Sequence, residues 1–258
     1  MSATINESLL ATAVLSICAT PTFAQNGRDC AALPDHDTLK AALDAAVSAE
    51  SSGLNLDMWA TVVNRDGIVC AVAFSGSNRG SQWPGSRVIS AQKANTANAF
   101  SLDGLALSTA NLYSVVQPGG SLYGLQHSNP VNVAAAYKGP PQNFGLHNDP
   151  LVGEAVGGVN VFGGGLGLYD NTGIIGGLGL SGDTSCADHM IAWRVRRNLG
   201  LDVFGGVVQG VSGDPERPDN IVYDIEPNPA GGTGVSTSSF GHPECINTGD
   251  ETALPGVQ

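Results

Sequence analysis

The sequence predicts an α+β fold: a mainly antiparallel sheet flanked by helices, followed by a long polar C-terminal extension. Three observations carry that expectation. Two apolar runs, Met58 to Asn64 and Ile68 to Phe74, are joined by Arg65-Asp66-Gly67, which is hairpin chemistry. Two more, Val156 to Tyr169 and Gly173 to Leu180, are joined by the turn Asp170-Asn171-Thr172-Gly173. Stretches with apolar residues at helical spacing lie around these pairs, the pattern of a sheet that buries one face or both against helices.

In chain order, residues 1–24 read as a secretory signal. Leu9 to Ala19 are apolar, and Pro21-Thr22-Phe23-Ala24 offers a small-residue cleavage site before Gln25. The apolar stretch is too short to span a bilayer. The expected location is therefore periplasmic or secreted, with no membrane span. Asp35 to Ser52 reads as a helix whose apolar face is Leu39, Ala42, Leu43, Ala46 and Val47, with Asp37 as its cap and Gly53 as its stop. After the first hairpin comes a Gly/Ser loop, Ser75 to Gly85, then a helix from Ser86 to Phe100 and a shorter one over Leu105 to Leu112. Gln117 to Gly145 is rich in Gly, Pro and Asn and reads as loop, within which Val131 to Tyr137 can pair as a strand. Glycines such as Gly163, Gly164 and Gly165 mark a bulge or the close approach of another backbone or a ligand. Ser185 begins the last helix, with Ser185-x-x-Asp188 resembling a capping box, and the helix runs to Leu199. The domain is thus expected over residues 30–200, with residues 201–258 a loop-rich extension.

Composition narrows the function. The chain has 258 residues and 42% apolar content, enough to bury one core, and its 35 glycines against 6% aromatics favour small side chains and tight contacts. Acidic residues outnumber basic ones 23 to 11 for a net charge of −12, which disfavours nucleic acid and anionic lipid as partners. Cys18 would leave with the signal. Cys30, Cys70, Cys186 and Cys245 then read as two disulfides with three pairings open, of which Cys30–Cys70 and Cys186–Cys245 are favoured. The first would tie the mature N-terminus to an early strand, and the second would pin the tail to a helix.

Several short motifs carry possible chemistry. Gly177-Leu178-Gly179-Leu180-Ser181-Gly182 matches the dinucleotide fingerprint glycine for glycine, with Asp202 about 20 residues on, but its strand belongs to a hairpin rather than a parallel unit. Gly179 to Asp183 resembles a nucleophile elbow whose last glycine is replaced by Asp183. None of the five histidines has zincin spacing. His127, after Leu122-Tyr123-Gly124-Leu125-Gln126, and His189, beside Met190 and before Trp193, have the apolar and aromatic neighbours that suit an axial haem ligand. Lys93 sits on an otherwise apolar helix face, where it either snorkels or pairs an anion. Arg194, Arg196 and Arg197 either offset a helix C-terminal dipole or clamp an anion.

Four runs in this order resemble the GlcG/HbpS family of haem-binding and related proteins: Val62-Val63-Asn64-Arg65-Asp66-Gly67, Lys93-Ala94-Asn95-Thr96-Ala97-Asn98-Ala99-Phe100, Leu122 to Asn129, and Gly173 to Gly182. The resemblance covers Leu33 to Leu199. It departs from the family in the loop Ser75 to Gly85, the loop Pro130 to Gly153 and the tail after Gly200. It implies a sheet flanked by helices, homo-oligomers and, for exported members, haem binding, in sequestration or sensing. On that reading His127 or His189 is the iron ligand, Lys93 or Arg194 meets a propionate, and Tyr123 lines the site. The alternative is an enzyme acting on a small organic acid or aromatic substrate, with Asp183, Asp188, His127, Tyr123 and Lys93 converging in a polar pocket. A third reading is a structural or partner-binding protein in which the glycine-rich strands serve packing alone.

Overall fold

A computed structural model describes residues 30–232 and 234–258. The expected signal, residues 1–24, lies outside them. Helix α1 (His36–Ser48) is capped by Asp35, not Asp37: the Asp35 side chain accepts from the Thr38 N–H at 2.9 Å. Its apolar stripe, Leu39, Ala42, Leu43 and Ala46, is buried. Strands β1 (Trp59–Asn64) and β2 (Val69–Phe74) form the expected antiparallel hairpin. Asn64 closes its turn by accepting from the N–H groups of Asp66 and Ile68 at 3.0 and 2.9 Å. Helix α2 (Ser86–Phe100) follows, then one-turn helices α3 (Leu125–Ser128) and α4 (Val133–Ala136) in the long loop. Strands β3 (Gly165–Asp170) and β4 (Gly173–Ser181) make the second hairpin, and α5 (Ser185–Asn198) is the last long helix. A two-residue pair, β5 (Ile225–Glu226) and β6 (Val235–Ser236), lies in the tail.

The main sheet has the order β2-β1-β4-β3 with every neighbouring pair antiparallel, so the α+β class holds. Strand alternation feeds two cores. Ala60, Val62, Leu178 and Leu180 point towards α1 and α5 and pack with Leu39, Leu43, Ile191 and Trp193. Trp59 and Val63 point the other way and pack with Val88, Ala91 and Ala94 of α2. On that second face β4 presents glycine. A Cβ on Gly177 would overlap the Ala94 carbonyl oxygen, and one on Gly179 the Ser90 carbonyl oxygen. The glycine run is therefore a seat for the α2 backbone, and no parallel crossover unit of the dinucleotide type surrounds it.

Besides its cap, the end of α1 differs: the helix ends at Ser48 rather than running to Ser52 and a stop at Gly53. Four further local expectations need correction. Leu105–Leu112 is not a helix: Asn111 Oδ1 accepts from both the N–H and the hydroxyl of Ser108, a local turn that competes with helical bonding and leaves a short 3-10 turn, Ala110–Leu112. Val131–Tyr137 is not a strand, because Asn132 caps α4 by accepting from the Ala135 N–H, and Val131 makes only a single bridge to Gly157. The strand expected over Val156–Tyr169 begins at Gly165, after a stretch in which Gly157, Gly158 and Gly164 take φ of +64°, +79° and +113°. The cap of α5 is Thr184, whose side chain accepts from the Ala187 N–H, and Ser185 is the first helical residue.

Both sheet edges are covered. Along β2, the Val69 N–H donates to Glu154 O and Gly153 N–H donates to Val69 O. Along β3, Tyr169 exchanges bonds with Leu201 and Val203. The disulfides are Cys30–Cys70 and Cys186–Cys245. They close loops of 40 and 59 residues, each worth about 4 kcal/mol on a chain-entropy argument.

The seat of α2 gives a direct test. Gly179→Ala should cost about 3 kcal/mol or more in denaturant unfolding, because the Cβ meets helix backbone that cannot move aside. Gly104→Ala, with open space around its Cβ, should stay within about 0.5 kcal/mol. Equal effects would contradict the close approach.

Candidate functional site

The chemistry-bearing residues divide into a sealed interior set and an exposed set. The interior set centres on Lys93. Seated on the glycine face, α2 sends this side chain past the start of β3, beside Gly164, to the first turn of α5. There Nζ donates to Asp188 Oδ2 at 2.6 Å, with both side chains buried. The other carboxylate oxygen of Asp188 accepts from the Gly182 and Asp183 N–H groups at 3.1 and 2.9 Å. Burial pushes the Asp188 carboxyl up to about 6 against the pull of Lys93. Asp183 turns away and accepts from the Leu54 and Leu56 N–H groups. Lys93 is thus neither snorkelling nor free.

His189 lies one residue on, fully buried. Its Nε2 contacts Asn220 Oδ1 and the Ile221 N–H, both at 3.2 Å, and its Nδ1 has no hydrogen-bond partner among the described residues. Burial, reinforced by Arg196, holds its pKa down to about 3, so the ring is neutral. His242, from the tail, is likewise buried and lowered to about 4, with Nδ1 donating to Pro243 O at 2.7 Å. Arg196 is enclosed between Trp193 and Phe204 and forms two bonds to Asp219, at 2.6 and 2.9 Å. Arg197 pairs with Asp202 and Arg194 with Glu50, each at 3.0 Å. The arginines of α5 therefore each hold a carboxylate of this chain. The partners Asp219, Asn220 and His242 carried no signal in the sequence, since all three lie in loop-like stretches.

The exposed set is the segment 122–137. Tyr123 is 63% exposed and His127 is exposed on α3, while Leu125 anchors the turn against the small cluster of Leu112, Val116 and Val161. Leu122, Val133 and Tyr137 are exposed as well. The residues expected to converge in an enzyme pocket therefore part company: Lys93, Asp188 and Asp183 meet in the interior, and Tyr123 and His127 lie at the surface. A cleft of about 640 Å3 opens elsewhere, lined by Phe204, Val208, Gln209, Asp214, Glu216 and Val257 among others, with no histidine and none of those five residues.

The chain matches a known family in sequence. A profile described as "Haem degrading protein HbpS-like" fits residues 35–196, well over half of the chain. The chain belongs to the HbpS-like family. No curated protein matches it. Among solved structures, Klebsiella pneumoniae protein ORFY, of family DUF336, is similar at 24% identity and a TM-score of 0.43, over 63% of this chain and 86% of that one. A PduOC:haem complex is similar at 24% identity and a TM-score of 0.45, over 67% and 94%. HbpS itself is similar at 15% identity and a TM-score of 0.40, over 64% and 88%. The HbpS-like span takes in all four strands of the main sheet and most of α5. Asp219, Asn220 and His242, which line the α5 side of the interior, lie beyond it.

The interior pair can be tested through stability. Lys93→Met should cost 3–5 kcal/mol or so, by stranding a carboxylate in a dry site. Adding Asp188→Asn, which keeps an acceptor for the Gly182 and Asp183 N–H groups, should recover most of that loss. Losses that simply add in denaturant titrations would contradict the pairing.

Proposed function

We propose that this protein binds haem at its surface, with His127 as an iron ligand and a second copy of the chain covering the other face of the tetrapyrrole. Membership of the HbpS-like family supports haem as the ligand class. The single observation that carries the placement is the contrast between the two histidines. His127 is exposed, in the same segment as the exposed Tyr123 and Leu122, so its ring nitrogens are open to a ligand. His189 has a neutral ring and a spare Nδ1, but it is fully buried among Trp193, Arg196 and Asn220 with no space for a flat macrocycle.

The residues of the exposed segment fit such a group in part. Haem supplies an iron that takes an imidazole nitrogen, and its ring needs apolar cover. His127 would hold the iron, and the exposed Tyr123 and Leu122 of the same segment would supply cover. One exposed surface buries only one face, whereas bound ligands of this size bury 70–90% or so of their area. That supports closure by a second copy. Lys93 and Arg194 are engaged with Asp188 and Glu50, so any propionate contact would come from the second copy or from water. The two disulfides support an exported setting, where thiols oxidise and haem is free of the cytosolic reductants.

Haemin titrated into the purified protein should give a Soret shift together with a shift from monomer to dimer in sedimentation. His127→Ala should abolish both. A wild-type spectrum unchanged by haemin, or a shift that survives His127→Ala, would overturn the proposal.

A further inference from the structure

A second cluster of ligating side chains lies away from that segment, at the first turn of α1. His36 Nδ1 is 3.0 Å from Asp37 Oδ1, and His147 Nε2 is 2.8 Å from the same oxygen. The three donor atoms all lie within 4.8 Å of one another, and the two imidazole rings stand 4.1 Å apart. Two elements far apart in sequence build the cluster: α1 supplies His36 and Asp37, and the 140–150 loop supplies His147.

That loop is held rigidly. Asp149, buried with Arg87, accepts from the Gly145 and Leu151 N–H groups at 2.6 and 2.8 Å. Gly145 has a φ of +76°, and a Cβ there would overlap the Phe74 ring, so its backbone has little freedom. The Gly145 carbonyl in turn accepts from His36 Nε2 at 3.0 Å. That bond fixes the ring with Nδ1 turned towards Asp37 Oδ1. A histidine whose outer nitrogen donates to a backbone carbonyl is the usual support of a metal ligand.

We infer that His36 Nδ1, Asp37 and His147 Nε2 form an open binding site for a divalent transition-metal ion of the zinc type. Two imidazoles and one carboxylate suit zinc, copper or nickel better than calcium or magnesium, which prefer all-oxygen shells. Three protein ligands leave at least one position for water or a bound molecule. Tetrahedral zinc at about 2.0–2.1 Å from each ligand needs donor atoms about 3.3 Å apart. The two distances to Asp37 Oδ1 are a few tenths of an ångström shorter, and the exposed His147 and Asp37 side chains, 70% and 76% accessible, can open by that much. The other His/Cys grouping, Cys186, His242 and Cys245, is closed to metal because both sulfurs are in a disulfide.

The test is calorimetric titration of zinc chloride into the full chain after chelator treatment and dialysis. One zinc ion per chain is expected, with binding weakened at least about tenfold in His147→Ala and in Asp37→Asn. Cobalt(II) should give visible d–d bands of tetrahedral strength that His147→Ala removes. Both side chains are exposed, so far-UV circular dichroism should be unchanged in the variants. Absence of one-to-one binding, or unchanged affinity and cobalt spectrum in His147→Ala, would overturn the inference. Because His127 is not involved, His147→Ala should leave the haemin spectrum as it is, which separates failure here from failure of the haem reading.

Discussion

The contact between the backbone of α2 and the glycine face of β4 governs the rest of this structure. A helix normally rests on a sheet through side chains on both elements. Here Gly177 and Gly179 remove the contribution of β4, leaving side-chain contact to the neighbouring β1, and the carbonyls of Ser90 and Ala94 lie where Cβ atoms would otherwise be. The helix is thereby lowered onto the strands. Lys93, near the middle of α2, then reaches the far side of the sheet at the open start of β3 and meets Asp188 at the first turn of α5. A single packing choice thus sets the distance between α2 and the sheet and bridges the two helical layers with an ion pair.

The same closeness leaves no room for a guest within the sheet's helical layers. Trp193, Arg196, His189 and Asp188 are all buried on the α5 side, and the tail after Gly200 completes their surroundings through Asp219, Asn220 and the Cys186–Cys245 bridge. Buried polar groups of this kind cost free energy unless they are satisfied, and here His189 Nδ1 and Arg196 Nε have no partner among the described residues while the remaining polar atoms of this group are bonded. Their arrangement reads as structural support. The two sites we propose are peripheral: the loop segment around His127, and the turn where His36, Asp37 and His147 meet. The loop chain at each is anchored inward, by the partly buried Leu125 in one case and by the buried Arg87–Asp149 pair in the other.

Much of the scaffold was legible in the sequence, and the reasons are physical. Helix α2 is marked by the helical spacing of Ile89, Lys93, Ala97 and Phe100, and the first hairpin by two apolar runs joined through Arg65-Asp66-Gly67. Of the three cysteine pairings the sequence leaves open, the one favoured for the elements it would tie together is the one present. The glycine run was ambiguous, since close approach by a ligand and by another backbone leave the same pattern, and only the seat of α2 decides between them. Local expectations failed where a polar side chain bonded to its own backbone, as with Asn111 and Asn132, or where glycines took left-handed conformations, as before Gly165. Of the residues expected at a site, Lys93 and His189 looked functional because they are polar within apolar helix faces. Their partners, Asp188 apart, come from the tail or from distant turns, and no local pattern in those stretches announces them. His36 and His147 were passed over for a similar reason: they are 111 residues apart in sequence and have no motif spacing.

The central claim is that the interior is structural and the haem surface peripheral. Amide hydrogen exchange with and without haemin tests it most directly. The account expects added protection confined to residues 122–137, with α2, β4 and α5 unchanged. Protection appearing instead in β4 and α5 around His189, with 122–137 unaffected, would contradict it.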